Sequence, residues 1–241
     1  MNRAIILAAG KGTRLVLGRP YPKPLEKVAG KALIVRVIEG LAESGIEEVG
    51  VIVGHLGDVL RSELEKLELP LPLTFFQNDD FEKPNGTSLL KAESFVVGPT
   101  YVVMSDHLWS PSLVKRVHAF PLADDEAVLG IDYDIPGCFD LDDATKVRVD
   151  GDRIVEIHKE LETYDCLDTG VFRINRSLIE SLQAHDGPDG CSLSQGVGEL
   201  AARGKMRVAD VGDAMWIDVD TREAHAEAER LIAKHGDALT P

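Results

Sequence analysis

A glycine-rich loop with basic side chains follows the first apolar run of the sequence. The loop reads Leu7-Ala8-Ala9-Gly10-Lys11-Gly12-Thr13-Arg14-Leu15. Glycines let backbone N–H groups approach a phosphate closely, and Lys11, Thr13 and Arg14 add side-chain donors and positive charge. The loop therefore predicts a phosphate-binding site.

Two other glycine-rich phosphate loops do not fit this sequence. The dinucleotide fingerprint G-x-G-x-x-G needs a third glycine where the chain has Leu15. The ATPase loop needs a first glycine and four spacer residues before Gly-Lys-Ser/Thr, and the order Gly10-Lys11-Gly12-Thr13 does not supply this. The phosphate loop is therefore of another kind.

The charge of the chain is unevenly distributed. Its 241 residues include 26 Lys+Arg and 41 Asp+Glu, a formal net charge of −15. Residues 1–31, the basic head, hold seven basic side chains, Arg19 among them, and one acid, so the head carries +6 and the rest −21. We expect no nucleic-acid or anionic-membrane binding from so acidic a chain, whereas the basic head supports an anion site.

Strand and helix signals alternate through the first ~100 residues, which is typical of an α/β protein with a mostly parallel sheet. We expect strands at 3–8, 49–53, 73–77 and 101–104, and helices near 33–41, 59–67 and 87–95. The apolar run at 3–8 predicts a central strand covered on both faces, and a loop from Gly10 to about Gly30 follows it.

The second half of the chain has a more antiparallel pattern. Residues 146–149 and 153–157 alternate with period two around Asp150-Gly151, which predicts a hairpin. A strand at 169–174, helices at 176–184 and 193–203, a strand at 215–218 and a closing helix are expected after it. We find no internal repeat or linker, and therefore expect one domain over residues 1–241.

Cysteine usage and hydropathy indicate the compartment. Cys138, Cys166 and Cys191 are odd in number and lack histidines at metal-ligand spacing, which predicts reduced thiols. No apolar stretch approaches transmembrane length. We therefore expect a cytoplasmic protein that does not insert into the membrane.

The first loop and the later run Pro22-Lys23-Pro24-Leu25 together resemble the signature L-A-A-G-x-G-T-R-L … P-K-P-L of the sugar-phosphate nucleotidyltransferase superfamily, the MobA-like NTP transferases. The resemblance implies a Rossmann-like three-layer α/β/α fold, with a mostly parallel sheet in the N-terminal half and an antiparallel C-terminal part. It implies that the loop and Lys23 bind a nucleoside triphosphate. The stretch Asn85-Gly86-Thr87-Ser88 resembles the superfamily loop that contacts base and ribose.

The same resemblance implies a metal site. Ser105-Asp106, at the end of the strand at 101–104, matches the position of the first metal-binding aspartate, and Asp218 matches that of the second. Two carboxylates together with substrate phosphates suit Mg²⁺, and Mn²⁺ accepts similar oxygen ligands. Asp220 is either a further ligand or part of a cap on the last helix at Thr221.

A narrower resemblance, to inositol-1-phosphate cytidylyltransferases, runs nearly the full chain. The segments that carry it are 85–92, 105–107, 143–149, 159–161, 164–172 and 216–221. The resemblance implies a reaction of CTP with inositol 1-phosphate that gives CDP-inositol and pyrophosphate. It implies a nucleotide-binding half at about 1–110 and an acceptor-binding half at about 111–241.

In that family the module is often fused to a membrane-embedded alcohol phosphotransferase. Because this chain stops at Pro241, we expect a free-standing transferase whose product such a membrane enzyme could use.

The resemblance also assigns roles to single residues. Lys11, Arg14 and the loop amides would hold the leaving β- and γ-phosphates, and Lys23 would contact the α-phosphate or the acceptor phosphate. Lys159 would bind the acceptor phosphate, with Lys146 and Arg148 as weaker candidates. The segment that includes Asp168, Thr169 and Gly170 would line the polyol pocket. A tight turn with a buried polar bond is the competing interpretation of Asp168.

Three large side chains near these aspartates have simpler interpretations. Successive side chains of a strand point to opposite faces, so we expect His107 to pack or to support Asp106 and not to react itself. Trp109 and Trp216 could stack on a base, but the sequence favours a place in the core.

Other functions stay open at this stage. The acceptor could be phosphocholine, with Tyr133, Phe139 and Tyr164 as aromatic candidates around its cation, or a phosphonate. A sugar 1-phosphate with UTP, GTP or dTTP is a further alternative. The remotest alternative is a non-catalytic nucleotide-binding regulatory protein, which both aspartates and the basic loop argue against. The sequence does not indicate the oligomeric state.

Overall fold

The protein is described here from a computed structural model that covers residues 2–16 and 20–239. The expected loop from Gly10 to about Gly30 includes residues 17–19. Arg19 of the basic head therefore lies outside the described residues.

Strands and helices alternate in the first half of the chain. The strands are β1 (Arg3–Ala8), β2 (Lys27–Val28), β3 (Lys31–Ala32), β4 (Glu48–Val53), β5 (Leu73–Gln77), β6 (Thr100–Met104) and β7 (His107–Trp109). The helices are α1 (Thr13–Val16), α2 (Leu33–Glu43), α3 (Gly57–Leu64) and α4 (Asn85–Leu90). The helix expected at 87–95 is instead α4 followed by a separate 3-10 turn at Glu93–Phe95.

The second half contains the expected hairpin, and it has more strands and helices than the sequence predicted. Its strands are β8 (Ala127–Asp132), β9 (Lys146–Asp150), β10 (Arg153–His158), β11 (Cys166–Ile174), β12 (Met206–Asp210) and β13 (Trp216–Asp218). Its helices are α5 (Pro111–Ala119), α6 (Arg176–His185), α7 (Leu193–Ala202) and α8 (Arg222–His235). Seven of the described elements in the whole chain were not among the sequence predictions, namely α1, β2, β3, β7, α5, β8 and β12, and α1 and β2 lie within the expected loop from Gly10 to about Gly30.

Nine of the described strands form one sheet, in the order β5-β4-β1-β6-β11-β8-β12-β10-β9. The pairs β5–β4, β4–β1 and β1–β6 are parallel. From β11 onward the pairing is antiparallel except between β12 and β8. The expected change from parallel to antiparallel pairing along the chain is therefore confirmed.

Helices cover both faces of the sheet because alternate strand residues are apolar on each side. In β1, Ile5 and Leu7 join one buried cluster, whose helical residues come from α4, α6 and α7. Ala4 and Ile6 join the opposite cluster, with residues of α2, α3 and α5. The strand side chains are excluded from water on both faces, as a continuous apolar run predicts. The three-layer α/β/α arrangement is thereby confirmed.

A short antiparallel ribbon of β7 and β13 lies apart from the main sheet and includes Asp218, while Asp106 immediately precedes β7. Its register places Asp218 opposite His107 and Trp216 opposite Trp109. Leu108 and Ile217 are buried in a third apolar cluster that also includes Ala228 of α8. The ribbon therefore fixes the 216–221 segment beside the end of β6.

The main sheet includes strands from both the expected nucleotide-binding half and the expected acceptor-binding half. The single-domain organisation and the division near residue 110 stay predictions. Among the residues that the structure describes, no helix combines the length and the apolar character needed to cross a membrane.

Candidate active site

Two neighbouring parallel strands, β1 and β6, bring the glycine-rich loop and Asp106 to the same edge of the sheet. Leu7 pairs with Met104. The backbone N–H of Ser105 donates to the carbonyl oxygen of Leu7 at 3.2 Å. Because the carboxyl ends of parallel strands lie at one edge, the loop after β1 and the aspartate after β6 face a common cleft.

The glycine-rich loop packs directly against Lys23. Gly12 has a φ of +57°, a backbone conformation that favours glycine. A Cβ on Gly12 would lie 2.4 Å from the Cβ of Lys23. The two halves of the predicted signature are therefore in contact, and Gly12 makes this close approach possible.

A cleft of about 330 Å³ lies above the loop. Its lining includes most of the residues that the sequence assigned to the nucleotide, namely Leu7, Ala8, Ala9, Gly10, Gly12, Thr13, Arg14, Lys23, Asn85, Ser88, Ser105 and Asp106. The Lys11 ammonium contacts the carboxylate of Glu82 and lies 5.9 Å from the centre of the Phe81 ring. The residues of the predicted phosphate loop therefore line one cleft. The Lys11 side chain instead contacts Glu82 and Phe81 beside that cleft.

The 85–88 segment begins α4, and its small residues pack against the chain just before α7. A Cβ on Gly86 would lie 2.6 Å from the carbonyl oxygen of Cys191. The Thr87 hydroxyl donates to Asp186 at 3.0 Å and accepts from the N–H of Cys191 at 3.0 Å. Gly86 and Thr87 thus join two parts of the fold, and Asn85 and Ser88 are the members of this segment that face the cleft.

The Lys23 ammonium is buried between carboxylates. Its Nζ lies 2.7 Å from Oδ2 of Asp106 and also contacts Oδ1 of Asp220. Burial alone would lower the pKa of Lys23, but Asp106 and Asp220 outweigh this effect and raise the pKa above its ordinary range. Lys23 is therefore a fixed positive charge at neutral pH.

Asp106 and Asp218 have different electrostatic surroundings. Burial opposes ionisation of Asp106, but the nearby Lys23 and the hydrogen bond from His107 hold its pKa far below the ordinary range. Burial, together with the negative charges of Asp106 and Asp220, raises the pKa of Asp218 to about 7, although His107 and Lys23 act in the opposite direction. The negative charge of Asp106 is thus stabilised by neighbouring cationic side chains, whereas the charge of Asp218 is stabilised less.

The carboxylates at this point fit a divalent metal ion. Possible ligand atoms of Asp106, His107 and Asp218 lie within 4.8 Å of one another, as do those of Asp143, Asp218 and Asp220. The buried Oδ1 of Asp218 has no hydrogen-bond partner among the described residues. An oxygen-rich donor set with a buried unpaired carboxylate oxygen suits a hard divalent cation.

Asp220 does not cap the last helix. The Thr221 side chain accepts from the N–H of Ala224 at 3.1 Å and caps α8 itself. The Asp220 carboxylate instead contacts Lys23 and the guanidinium of Arg14. Its place among the charges of the cleft agrees with the alternative that makes it a metal ligand, and that role stays a prediction.

A second cavity of about 370 Å³ adjoins the cleft and shares Asn85, Met104 and Asp220 with it. Side chains with hydrogen-bonding groups on its wall include His107, Asp132, Asp134, Asp140, Asp143, Lys159, Asp168, Trp216 and Asp218. The Lys159 ammonium lies 2.7 Å from Oδ1 of Asp143. Within the described residues, Lys159 is the one lysine or arginine on this wall, which also carries many carboxylates, and the cavity lies where the sequence predicted the acceptor.

The predicted acceptor residues are only partly on this cavity. Asp168 lines it, and its Oδ1 also accepts from the N–H of Gly170 at 2.7 Å, so the tight turn is present too. Burial raises the pKa of Asp168 to about 6. Thr169 is fully buried and donates to the carbonyl oxygen of Gly130, and Lys146 donates to that of Asp142. The side chains of Thr169 and Lys146 are therefore not placed for acceptor binding, contrary to expectation.

Sequence reasoning assigned no role to two residues that contribute to the site, Asp143 and Asp132. Asp143 contacts both Arg14, at 3.0 Å, and Lys159, so it bridges the cleft and the cavity. Trp216 is partly buried: it packs against one of the buried apolar clusters, as the sequence favoured, and its indole N–H also donates to Asp132 at 2.7 Å on the cavity wall. The signal for Asp143 was its place at the start of the segment 143–149, but no local pattern predicts its contact with Arg14.

Comparisons with known proteins agree with this geometry. The model of the MobA-like NTP transferase domain matches residues 4–136. A Rubrobacter xylanophilus protein named bifunctional IPC transferase and DIPP synthase is 35% identical over 236 residues, which cover 95% of this chain and 51% of that protein. A Streptomyces rubellomurinus protein named CMP-5'-(3-aminopropyl)phosphonate synthase is 29% identical, with 90% and 37% covered. The chain spans about half the length of the first of these relatives.

A solved structure is similar over nearly its whole length. The inositol-1-phosphate CTP transferase from T. maritima superposes with a TM-score of 0.84 at 26% identity, and the match covers 98% of this chain and 97% of that chain. Nucleotidyltransferases of this kind generally use a divalent metal. The fold, the matched residues and the cleft between β1 and β6 lead to one assignment: the chain belongs to the family of MobA-like NTP transferase domains.

Proposed function

We propose that the protein is a cytidylyltransferase that condenses CTP with inositol 1-phosphate to give CDP-inositol and pyrophosphate. The observation that carries this proposal is the junction of two cavities at one set of charges. The cleft above the glycine-rich loop suits a triphosphate, and the adjoining cavity presents Lys159 and several carboxylates. The similarity to the T. maritima inositol-1-phosphate CTP transferase supports this choice of substrates.

The nucleotide side of the reaction needs positive charge more than it needs acid–base catalysis. A phosphate monoester is already a dianion near neutral pH, so the attacking oxygen requires no strong general base. Lys11, Arg14 and the loop amides would hold the phosphates that leave as pyrophosphate, and Lys23 would contact the α-phosphate. These three side chains are paired with Glu82, Asp220 and Asp106 in the free protein. Substrate phosphates would take over part of the role that these carboxylates fill.

We assign the metal ligands to Asp106 and Asp218, with Asp220 as a further candidate. We propose Mg²⁺ as the ion, and Mn²⁺ fits the same oxygen ligands. When bound, the ion supplies Lewis-acid polarisation of a phosphoryl oxygen and neutralises developing charge. The two aspartates would orient it, because the backbone of each is fixed: Asp218 pairs with His107 in the ribbon of β7 and β13, and the carbonyl oxygen of Asp106 accepts from the N–H of Val219 at 3.0 Å.

The acceptor side would hold a phosphate at one end and hydroxyl groups at the other. Lys159 reaches the cavity close to Asp143 and would pair with the acceptor phosphate. Carboxylates such as Asp132, Asp134 and Asp168 accept hydrogen bonds, which polyol hydroxyls can donate. In-line attack would then place the acceptor phosphate opposite the pyrophosphate leaving group.

A second candidate acceptor is an aminoalkyl phosphonate. The same carboxylates would also stabilise an ammonium group, and one relative is named for an aminopropylphosphonate product. The phosphonate and ammonium ends would then occupy the positions proposed for the phosphate and hydroxyls.

We also propose a cytoplasmic location, because the three cysteines form no disulfide within the described part of the chain. A membrane CDP-alcohol phosphotransferase could use the product.

A pyrophosphate-release assay tests the proposed function. The purified protein would be incubated with Mg²⁺ and each of CTP, UTP, GTP, ATP and dTTP, crossed with inositol 1-phosphate, phosphocholine, 3-aminopropylphosphonate and glucose 1-phosphate. We expect the fastest release from CTP with inositol 1-phosphate, and no release when the acceptor is omitted. Preference for another pair would correct the substrates, and silence across the panel would favour a nucleotide-binding protein without catalysis.

Substitution of the metal-binding aspartates should remove activity without unfolding the protein. We expect Asp106→Asn and Asp218→Asn each to lower kcat by about a hundredfold or more, because each removes an anionic metal ligand at the reacting phosphate. Circular dichroism and thermal unfolding would report the fold. Asp58→Asn, an exposed change in the first turn of α3, is the matched control. Wild-type turnover in either cleft variant would refute the metal assignment.

Lys159→Ala should act on the acceptor. Loss of a charged hydrogen bond of about 1.5–3 kcal/mol corresponds to a rise of roughly 10- to 100-fold in the KM for inositol 1-phosphate. The KM for CTP should change by less than about threefold, because Lys159 faces the second cavity. Exposed Lys115 on α5 provides the control variant Lys115→Ala. A defect confined to CTP would instead place Lys159 on the nucleotide side.

A further inference from the structure

His107 lies between the two proposed metal-binding carboxylates. Its Nδ1 is 3.1 Å from Oδ1 of Asp106 and 3.7 Å from Oδ1 of Asp218. The pairing of β7 with β13 sets His107 directly opposite Asp218. The imidazole therefore presents one nitrogen to both carboxylates.

The ring is held in this orientation by its surroundings. It stacks on the Trp216 indole, with ring centroids 6.4 Å apart and an interplanar angle of 14°. A Cβ on Gly170 would lie 2.6 Å from Cδ2 of His107, so the backbone of β11 approaches the ring closely. Trp216 is in turn fixed by the hydrogen bond from its N–H to Asp132. Trp216 and the backbone at Gly170 thus restrict the rotation of the imidazole.

The carboxylates need such a partner because they repel one another. In the described part of the chain, Lys23 hydrogen-bonds Asp106 and Asp220 but not Asp218. The Oδ1 of Asp218 is buried and has no hydrogen bond within the described residues. The Nδ1 of His107 lies 3.7 Å from that oxygen, which is beyond hydrogen-bond distance, and hydrogen-bonds Oδ1 of Asp106 at 3.1 Å.

We propose that His107 is a positioning residue that fixes Asp106 and Asp218 in the arrangement that binds the divalent metal, and that Trp216 and Gly170 set its orientation. This inference rests on the metal assignment in the proposed function. Groups that hydrogen-bond to the ligands of a metal commonly contribute 10- to 100-fold to its affinity. His107 would act through the aspartates, whereas Mg²⁺ itself prefers their oxygen atoms.

Two polar replacements of His107 test whether metal binding depends on a nitrogen at the position of Nδ1 or only on a polar side chain. His107→Asn places its amide nitrogen close to where Nδ1 lies, and His107→Gln places it near the position of Nε2. Both lack the aromatic ring, so both lose the stack on Trp216 to the same extent. His118→Asn is the matched control, because His118 also stacks on an aromatic ring and shares a hydrogen bond through Nδ1, with Tyr101.

The test measures Mn²⁺ affinity of the free protein by electron paramagnetic resonance, without substrates, and Mg²⁺ affinity by competition. We expect His107→Gln to weaken both affinities about 10-fold or more, and His107→Asn and His118→Asn to stay within about threefold of the wild type. Thermal unfolding would confirm that the Asn and Gln variants are equally folded. Equal affinities for the Asn and Gln variants would overturn the proposal.

Two further outcomes are distinguishable. Loss of Mn²⁺ affinity in His107→Gln with unchanged Mg²⁺ affinity would make His107 a direct ligand and would also overturn the positioning role. Asp106→Asn, measured in the same series, tests the underlying assignment. If that variant binds both ions like the wild type, the metal assignment of the proposed function fails. If it loses them while His107→Gln does not, only the inference about His107 fails.

Discussion

The packing of the Lys23 ammonium against carboxylates is the interaction on which the candidate site depends. Lys23 contacts Asp106 and Asp220, which lie 83 and 197 residues away in the sequence. Burying such charges is costly, and the attraction offsets the cost only when the geometry is good. The proline residues on either side of Lys23 and the fixed strand ends supply that geometry. The Lys23 ammonium therefore offsets part of the repulsion between carboxylates that converge at one point.

The remaining elements follow from this constraint. The parallel pairing of β1 with β6 places the glycine-rich loop beside Asp106. The ribbon of β7 and β13 brings Asp218 to the same point from the far end of the chain. The antiparallel half of the sheet then forms the wall of the second cavity, with Asp168 of β11 on it. Several basic side chains of residues 1–31 form ion pairs with carboxylates from the rest of the chain, among them Lys11, Arg14 and Lys23.

Local patterns in the sequence predict the first half of the fold well. The run at 3–8 and the alternation up to Met104 are strong signals because buried parallel strands are continuously apolar. The predicted helix at 87–95 extends too far, because α4 ends at Leu90 and a separate 3-10 turn follows at Glu93–Phe95. The strands β8 and β12 were not predicted, although β8 is buried throughout. Their pairing with each other is a long-range contact that local periodicity does not encode.

The candidate site was predictable where it depends on a motif, and less so where it depends on tertiary contact. The loop, Lys23, Asp106 and Asp218 are brought together as their motifs indicated. Thr169 points elsewhere because β11 has an irregular register between Asp168 and Phe172, around Gly170 with its φ of +75°. Simple alternation of side chains does not hold there. Asp143 is placed by a loop whose contact with Arg14 joins residues far apart in the sequence.

The central claim is that one divalent cation binds where the carboxylates meet beside Lys23. A crystal structure with Mn²⁺ and CTP, with anomalous diffraction collected at the manganese edge, tests it most directly. The account predicts one anomalous peak within coordination distance of Asp106 and Asp218, with the triphosphate over the glycine-rich loop. A manganese peak away from both aspartates, or CTP bound in the second cavity, would contradict it.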